Sequence, residues 1–175
     1  MKKVIVFISI VFFSFSAVAQ DLHEVEKKEN KHFVSITFAQ TYIPQGVDMD
    51  NLNHKGHLVP GFGIDYLYRL SPKFEIGAMV DYEMGSYIIP HKEDLIRDHA
   101  FVLVGVATYT ILPNWNIFLG GGVELEKHHN LGVFRMGTEV NFNIGRDWSI
   151  PVGYFYDIKE GYDTSSISVG IGKAF

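Results

Sequence analysis

Histidine is the residue type here with the most chemistry to offer. Six of the eight histidines fall in stretches that read as loops: His54, His57, His91, His99, His128 and His129. Asp48, Asp50, Glu93, Asp94 and Glu126 lie among them. Neutral imidazole together with carboxylate is a ligand set for Zn²⁺, Ni²⁺ or Cu²⁺. The best set is His57, His99, His128 and His129, each at or just above a strand end, and Zn²⁺ or a similar divalent metal is the only cofactor these residues imply. No two of them carry the H-E-x-x-H spacing of a helical metal site. Polar loops also collect histidine without binding anything, so a solvated loop is the competing reading. A second chemistry pairs histidine with serine. Ser86, Ser165 and Ser166 are available for a lipid-directed hydrolase or acyltransferase, but no local motif selects one of them. Cysteine is absent, which removes thiolate metal sites, disulfides and a thiol nucleophile.

Charged residues form a second group. Asp65, Glu75, Asp81, Glu83, Glu124, Glu126, Glu139 and Asp157 fall on the small or polar face of their segments. Arg69, Arg135, Lys159 and Lys173 are the basic residues read onto the same side. Charges withdrawn from water persist only when paired or hydrated. Hairpin register sets Arg69 opposite Glu75, and Glu124 opposite Arg135. The expectation is an interior ion-pair network, with the excess acid at wet rims, protonated or bound to cations. The alternative is a narrow ion-conducting path.

The elements that must position these groups are strands. The chain has 175 residues, 47% apolar and 14% aromatic, which is one ordered domain. Residues 1–19 read as a cleaved signal peptide, with Lys2-Lys3, an apolar run over 4–17, and Ala17-Val18-Ala19 as the cleavage site. Residues 20–32 are charge-rich and read as a periplasmic linker. The net charge of −5 gives no electrostatic case for nucleic acid as a partner. Over residues 33–175 the apolar period is two. Ile167, Val169, Ile171 and Phe175 alternate with Ser166, Ser168, Gly170 and Gly172. Val152, Tyr154, Tyr156 and Ile158 alternate with Gly153 and Asp157, and Phe134, Met136, Val140 and Phe142 with Arg135, Gly137, Glu139 and Asn141. Four more segments repeat the pattern, and one, His99 to Ile111, is apolar on both faces, so its facing stays open. Tight turns are expected at 71–73, 113–114 and 145–147, long loops at 44–55 and 90–98, and intermediate connections at 127–131 and 159–163. This is an eight-stranded antiparallel up-and-down order.

The bulky apolar set is too large for the inside of eight strands, which enclose only enough space for side chains to fill it. It must face outward, and only hydrocarbon rewards that inversion. Closure follows, because an open edge in lipid would strand its backbone groups. Trp115 and Trp148 follow short turns, and Tyr68, Phe74, Tyr109 and Phe142 lie at similar depth. Tyr42, Tyr82, Phe134 and Tyr156 fall near the other rim, giving two aromatic girdles. Pro60 and Pro151 interrupt strand patterns and predict a bulge or a ladder end.

A signal segment with an Ala-Gln junction, eight alternating strands and a terminal Phe175 resemble the small eight-stranded outer-membrane β-barrel proteins of Gram-negative bacteria. The Ala-Gln junction is similar to that of exported proteins of Bacteroidota. The resemblance implies an all-β protein, a closed transmembrane barrel over residues 33–175. It also implies porin-like residence in outer-membrane lipid, with Phe175 read by the barrel-assembly machinery. No catalytic motif accompanies it. The expected function is a non-enzymatic, monomeric barrel with a structural or surface-interaction role. Its charged interior would be plugged, with no wide pore, long loops outside the cell and termini in the periplasm. The alternatives are a metal-binding surface barrel using the loop histidines, and the lipid-directed enzyme.

Overall fold

A computed structural model describes residues 30–48, 55–90, 94–127 and 129–175. The signal segment, most of the linker and His54, His91 and His128 lie outside the described residues. The strands are β1 (His32–Asp48), β2 (Lys55–Ser71), β3 (Phe74–Ile89), β4 (Leu95–Leu112), β5 (Trp115–Leu125), β6 (Leu131–Gly145), β7 (Trp148–Lys159) and β8 (Tyr162–Ala174). They pair antiparallel in sequence order and β8 returns to β1, closing the barrel. Closure is completed at the C-terminus, where Phe175 and His32 exchange backbone hydrogen bonds of 2.9 and 3.0 Å. Their rings stack 5.5 Å apart.

The facing follows the period of two. Ile36, Phe62, Leu119 and Ile167 are each more than half exposed on the outer wall, at 59%, 51%, 58% and 64%. The acidic residues expected inside are buried. Lys173 is a correction: it shares the parity of Ile171 and Phe175, so it faces outward, its ammonium 5.4 Å from the Trp148 ring. β4 also resolves. Val102, Val104 and Val106 point inward and join Leu67, Met79, Phe118, Val133 and Phe155 in an apolar cluster inside the barrel. The interior is therefore apolar along part of its wall, not polar throughout. Gly137 makes this cluster possible, since a Cβ there would lie 2.5 Å from the Phe118 ring.

Several strands run further than the turn residues suggest. β1 continues through Pro44 to Asp48, β4 begins at Leu95, and the β7–β8 connection is a two-residue turn at Glu160-Gly161. The long-loop end is also irregular. The β2–β3 ladder stops at Gly61↔Glu83, next to Pro60. Beyond that point Val47 and Asp48 of β1 pair with Ile88 and Tyr87 of β3. The tip of the β1–β2 hairpin thus bends toward β3, and Ile43, Val47 and Val59 are buried. Pro151 likewise sits where the β7–β8 ladder is interrupted between Ser149↔Gly172 and Val152↔Val169. A proline has no N–H to give, so a ladder must break or end beside it.

Candidate functional site: the charged interior and the long-loop mouth

The densest polar chemistry lies below the long-loop mouth. β3, β5 and β7 each deliver an inward charge there by strand parity, but β4 does so by a different device. Between Glu83↔Ala100 and Ser86↔Asp98 the β3–β4 register shifts by one residue. The extra residue is on β3, where Met84 and Gly85 stand against His99 alone, and His99 takes a positive φ of 54°. Asp98 and His99 both face out, and Arg97 turns in to full burial. The left-handed turn of the backbone at His99 thus reverses the facing of β4 beyond it, while β3 keeps Glu83, Tyr87 and Ile89 inward.

Arg97 forms an ion pair with Glu124, and its Nη1 lies 3.5 Å from Glu126. Nη1 also donates to the His129 carbonyl at 2.6 Å. Lys159 Nζ lies 2.8 Å from Glu124 and 3.0 Å from Glu83. Tyr162 donates to Glu124 at 2.8 Å and lies 2.9 Å from the Tyr87 hydroxyl. Arg97, Glu124 and Lys159 have no exposed side-chain surface. Above them Ile43, Val59, Tyr87, Ile89, Leu131 and Tyr162 form an apolar layer, drawn from β1, β2, β3, β6 and β8, with Leu95 packed against it. Further along the axis Arg135 grips Asp157 through two bonds of 2.7 and 2.8 Å and reaches Asp81 at 2.6 Å. Its guanidinium lies 4.1 Å from the Phe155 ring centre. This bidentate fork is the strongest geometry a carboxylate and a guanidinium adopt.

The four residues expected to pair inside are thus sorted as follows. Arg69 stands opposite Glu75 and its Nε lies 2.9 Å from the carboxylate. Glu124 does not face Arg135. In the β5–β6 register Glu124 stands opposite Leu131 and Arg135 opposite Gly120. The ladder runs in register from Trp115↔Val140 to Glu124↔Leu131, so its turn is centred two residues earlier than that pairing needs, and each charge finds a partner from another strand. Arg97, Tyr87 and Tyr162 were not singled out in the sequence. The two tyrosines carried a readable signal, being bulky polar-tipped residues next to turns; Arg97 carried none, because nothing in its neighbourhood announces a left-handed histidine.

The histidines separate. His57 is half-buried on β2 with its ring 5.8 Å from Tyr87. His99 is exposed, its Nδ1 3.2 Å from the Tyr82 hydroxyl and its Nε2 3.8 Å from Asp98. His129 is exposed, and its backbone N–H donates to Glu126 at 3.3 Å. Among the described residues no three histidines or carboxylates come together as a metal-holding set; His128 lies outside those residues. Ser86 donates to Asp98 at 2.5 Å, and Ser166 lies 2.8 Å from Thr41, so neither is bonded to a histidine.

Comparison with known proteins bears on the whole assembly. No curated protein gives a significant sequence match. Neisserial surface protein A superposes with a TM-score of 0.57 at 11% identity, covering 82% of this chain and 97% of that one. Ail of Yersinia pestis, the attachment invasion locus protein, gives 0.57 at 13% identity, covering 83% and 98%. OprG of Pseudomonas aeruginosa, an outer membrane protein, gives 0.54 at 11% identity, covering 87% and 99%. At these identities the likeness is one of fold. Residues 12–171 match the family described as "Putative MetA-pathway of phenol degradation". With its closed eight-stranded wall, outward apolar face and charge-filled interior, the chain belongs to that family and is a small outer-membrane β-barrel.

Proposed function

We propose that this protein is a non-enzymatic, monomeric barrel whose outer-half interior is plugged and whose work is structural or done at its surface. The supporting observation is the complete burial of Arg97, Glu124 and Lys159 beneath an apolar layer. Those side chains fill the section an aqueous path would need. The family description names a degradation pathway for an aromatic compound. Passage or turnover of such a compound would need a continuous cavity or a catalytic pair, and the filled section favours a surface role instead. In this reading residues 1–19 direct export and residues 20–32 lie in the periplasm. The short turns then face the periplasm and the long loops face outward. Ail carries attachment in its name; a comparable role here would use the segments around 44–55 and 90–98. The test is conductance of the purified protein in a planar bilayer. The expected trace is flat, or shows only rare, small openings. Steady, large, weakly selective openings would overturn the plug.

A further inference from the structure

The short-turn end of the barrel holds a cavity of about 330 Å³, at the small end of ligand-site sizes. Its lining is unusual in one respect. Asn30, Asn114, Asn116, Asn141 and Asn143 all contribute to it. Asn116 follows the inward parity of Phe118, and Asn141 and Asn143 that of Glu139. The backbone N–H of Asn141 donates to the carbonyl of Asn114 at 2.8 Å, so the two asparagine pairs stand side by side on neighbouring strands. Same-face residues along a strand are about 7 Å apart. The result is a small array of carboxamides around one opening.

Of the charged residues lining the cavity, Arg69 and Glu75 hold each other, and Asp147 is exposed in the turn at its rim. Arg69 is held by Glu75 at 2.9 Å. Glu139 accepts from the Asn141 amide at 2.7 Å. The side-chain amides of Asn114, Asn116 and Asn143 have no hydrogen-bond partner among the described residues. They offer donors and acceptors together, without net charge. Phe33, Leu67, Pro72 and Pro113 add apolar wall to the same space.

A ligand matching this surface is neutral, carries groups that both donate and accept, and has an apolar face. We propose that the cavity binds an N-acetylated saccharide. Its hydroxyls match the two-way amides, its acetamido group pairs reciprocally with a carboxamide, and the C–H face of its ring rests on Phe33 and the prolines. An anionic ligand would meet no uncommitted cation on this wall among the described residues. The saccharide's source rests on the orientation proposed above, in which this end faces the cell-wall glycan; the binding itself does not.

The probe is N,N′-diacetylchitobiose, titrated into the full chain folded in lipid nanodiscs. Heat release and the side-chain amide resonances of asparagine are followed. Saturable binding with shifted Asn amides is expected. Removing two amide contacts in an Asn116→Ala/Asn143→Ala double variant should weaken it about tenfold or more. The Asn116→Asp/Asn143→Asp pair keeps the volume, removes the donors and should weaken it as well. Heat-modifiable migration on a gel confirms that both variants fold. No saturable signal in the wild type overturns the proposal, and so does undiminished affinity in both folded variants. Equal binding of cellobiose overturns the acetamido requirement, and binding of trialanine with both sugars silent assigns the cavity to peptides instead. If chitobiose binds, co-sedimentation with purified cell-wall sacculi makes the wall polymer the source, and its failure makes a soluble saccharide the source.

Discussion

The two ends of this barrel are made by the same eight strands and solve opposite problems. At the long-loop end the β1–β2 hairpin leans toward β3, an apolar cluster gathers residues of five strands, and Arg97, Lys159, Glu83 and Glu124 interlock beside it. At the short-turn end the ladders shift register just before the tight turns after β2, β4 and β6, the one ion pair there among the described residues, Arg69–Glu75, is 43% exposed on its arginine side, and a polar cavity opens. The difference lies in strand overhang. β1 to β4 run 16 to 18 residues against 11 to 15 in β5 to β8, and the longer strands supply Ile43, Val59, Tyr87 and Ile89 to the mouth, whereas two-residue turns on the other side leave a cup. Burial then decides what each charge is worth. A buried ion pair that loses one partner leaves an uncompensated charge, while an exposed pair loses little.

That contrast is open to direct attack. The largest effect is expected from Arg97→Ala, which leaves Glu124 and Glu126 buried without their guanidinium. Urea unfolding in detergent or lipid should show a loss of roughly 3–5 kcal/mol, the usual cost of breaking a buried pair. A loss below about 1 kcal/mol would mean that the mouth is wetter than its burial implies. Next in size is Val169→Arg, at the middle of β8 on the outward wall that joins the two ends. A cation on the lipid face near the bilayer midplane costs about 2–4 kcal/mol. Assembly as efficient as wild type would contradict lipid as the solvent of that face.

At the short-turn end the effects shrink. Phe175→Ala removes the ring stacked on His32 but keeps the backbone bonds that close β8 onto β1. A stacking contribution of about 1 kcal/mol is expected in equilibrium stability. A fall in membrane yield well beyond that, with stability of the inserted fraction unchanged, would show that Phe175 acts in assembly. The smallest change belongs to Arg69→Ala. Its pair with Glu75 is half in solvent, and the loss should stay at or below about 1 kcal/mol and diminish in high salt. If Arg69→Ala and Arg97→Ala cost the same, the two ends do not differ in the way described.

Much of this molecule can be read from its residues. The alternation of Ile167, Val169 and Ile171 with Ser166, Ser168 and Gly170 places one set in lipid and the other inside, because a strand has no third choice. The register of Arg69 against Glu75 follows from a short turn at 71–73, since little chain is available to shift it. Register becomes unreadable where the connection is longer. The residues alone suggest Glu124 opposite Arg135, whereas the β5–β6 ladder places Leu131 there.

The sequence alone was sufficient for strand number, antiparallel order, closure and outward facing, because these depend on a period of two and on the length of chain between apolar runs. It was not sufficient for the contents of the barrel. β4 is apolar on both faces, so only its neighbours could tell which valines turn inward. Arg97 enters the interior because His99 adopts a left-handed backbone, which no residue type in that stretch requires. Partnerships such as Arg135 with Asp81 and Lys159 with Glu83 join residues more than fifty positions apart across the lumen. Such pairs are set by the shear and diameter of the closed sheet, quantities that exist only once all eight strands have met.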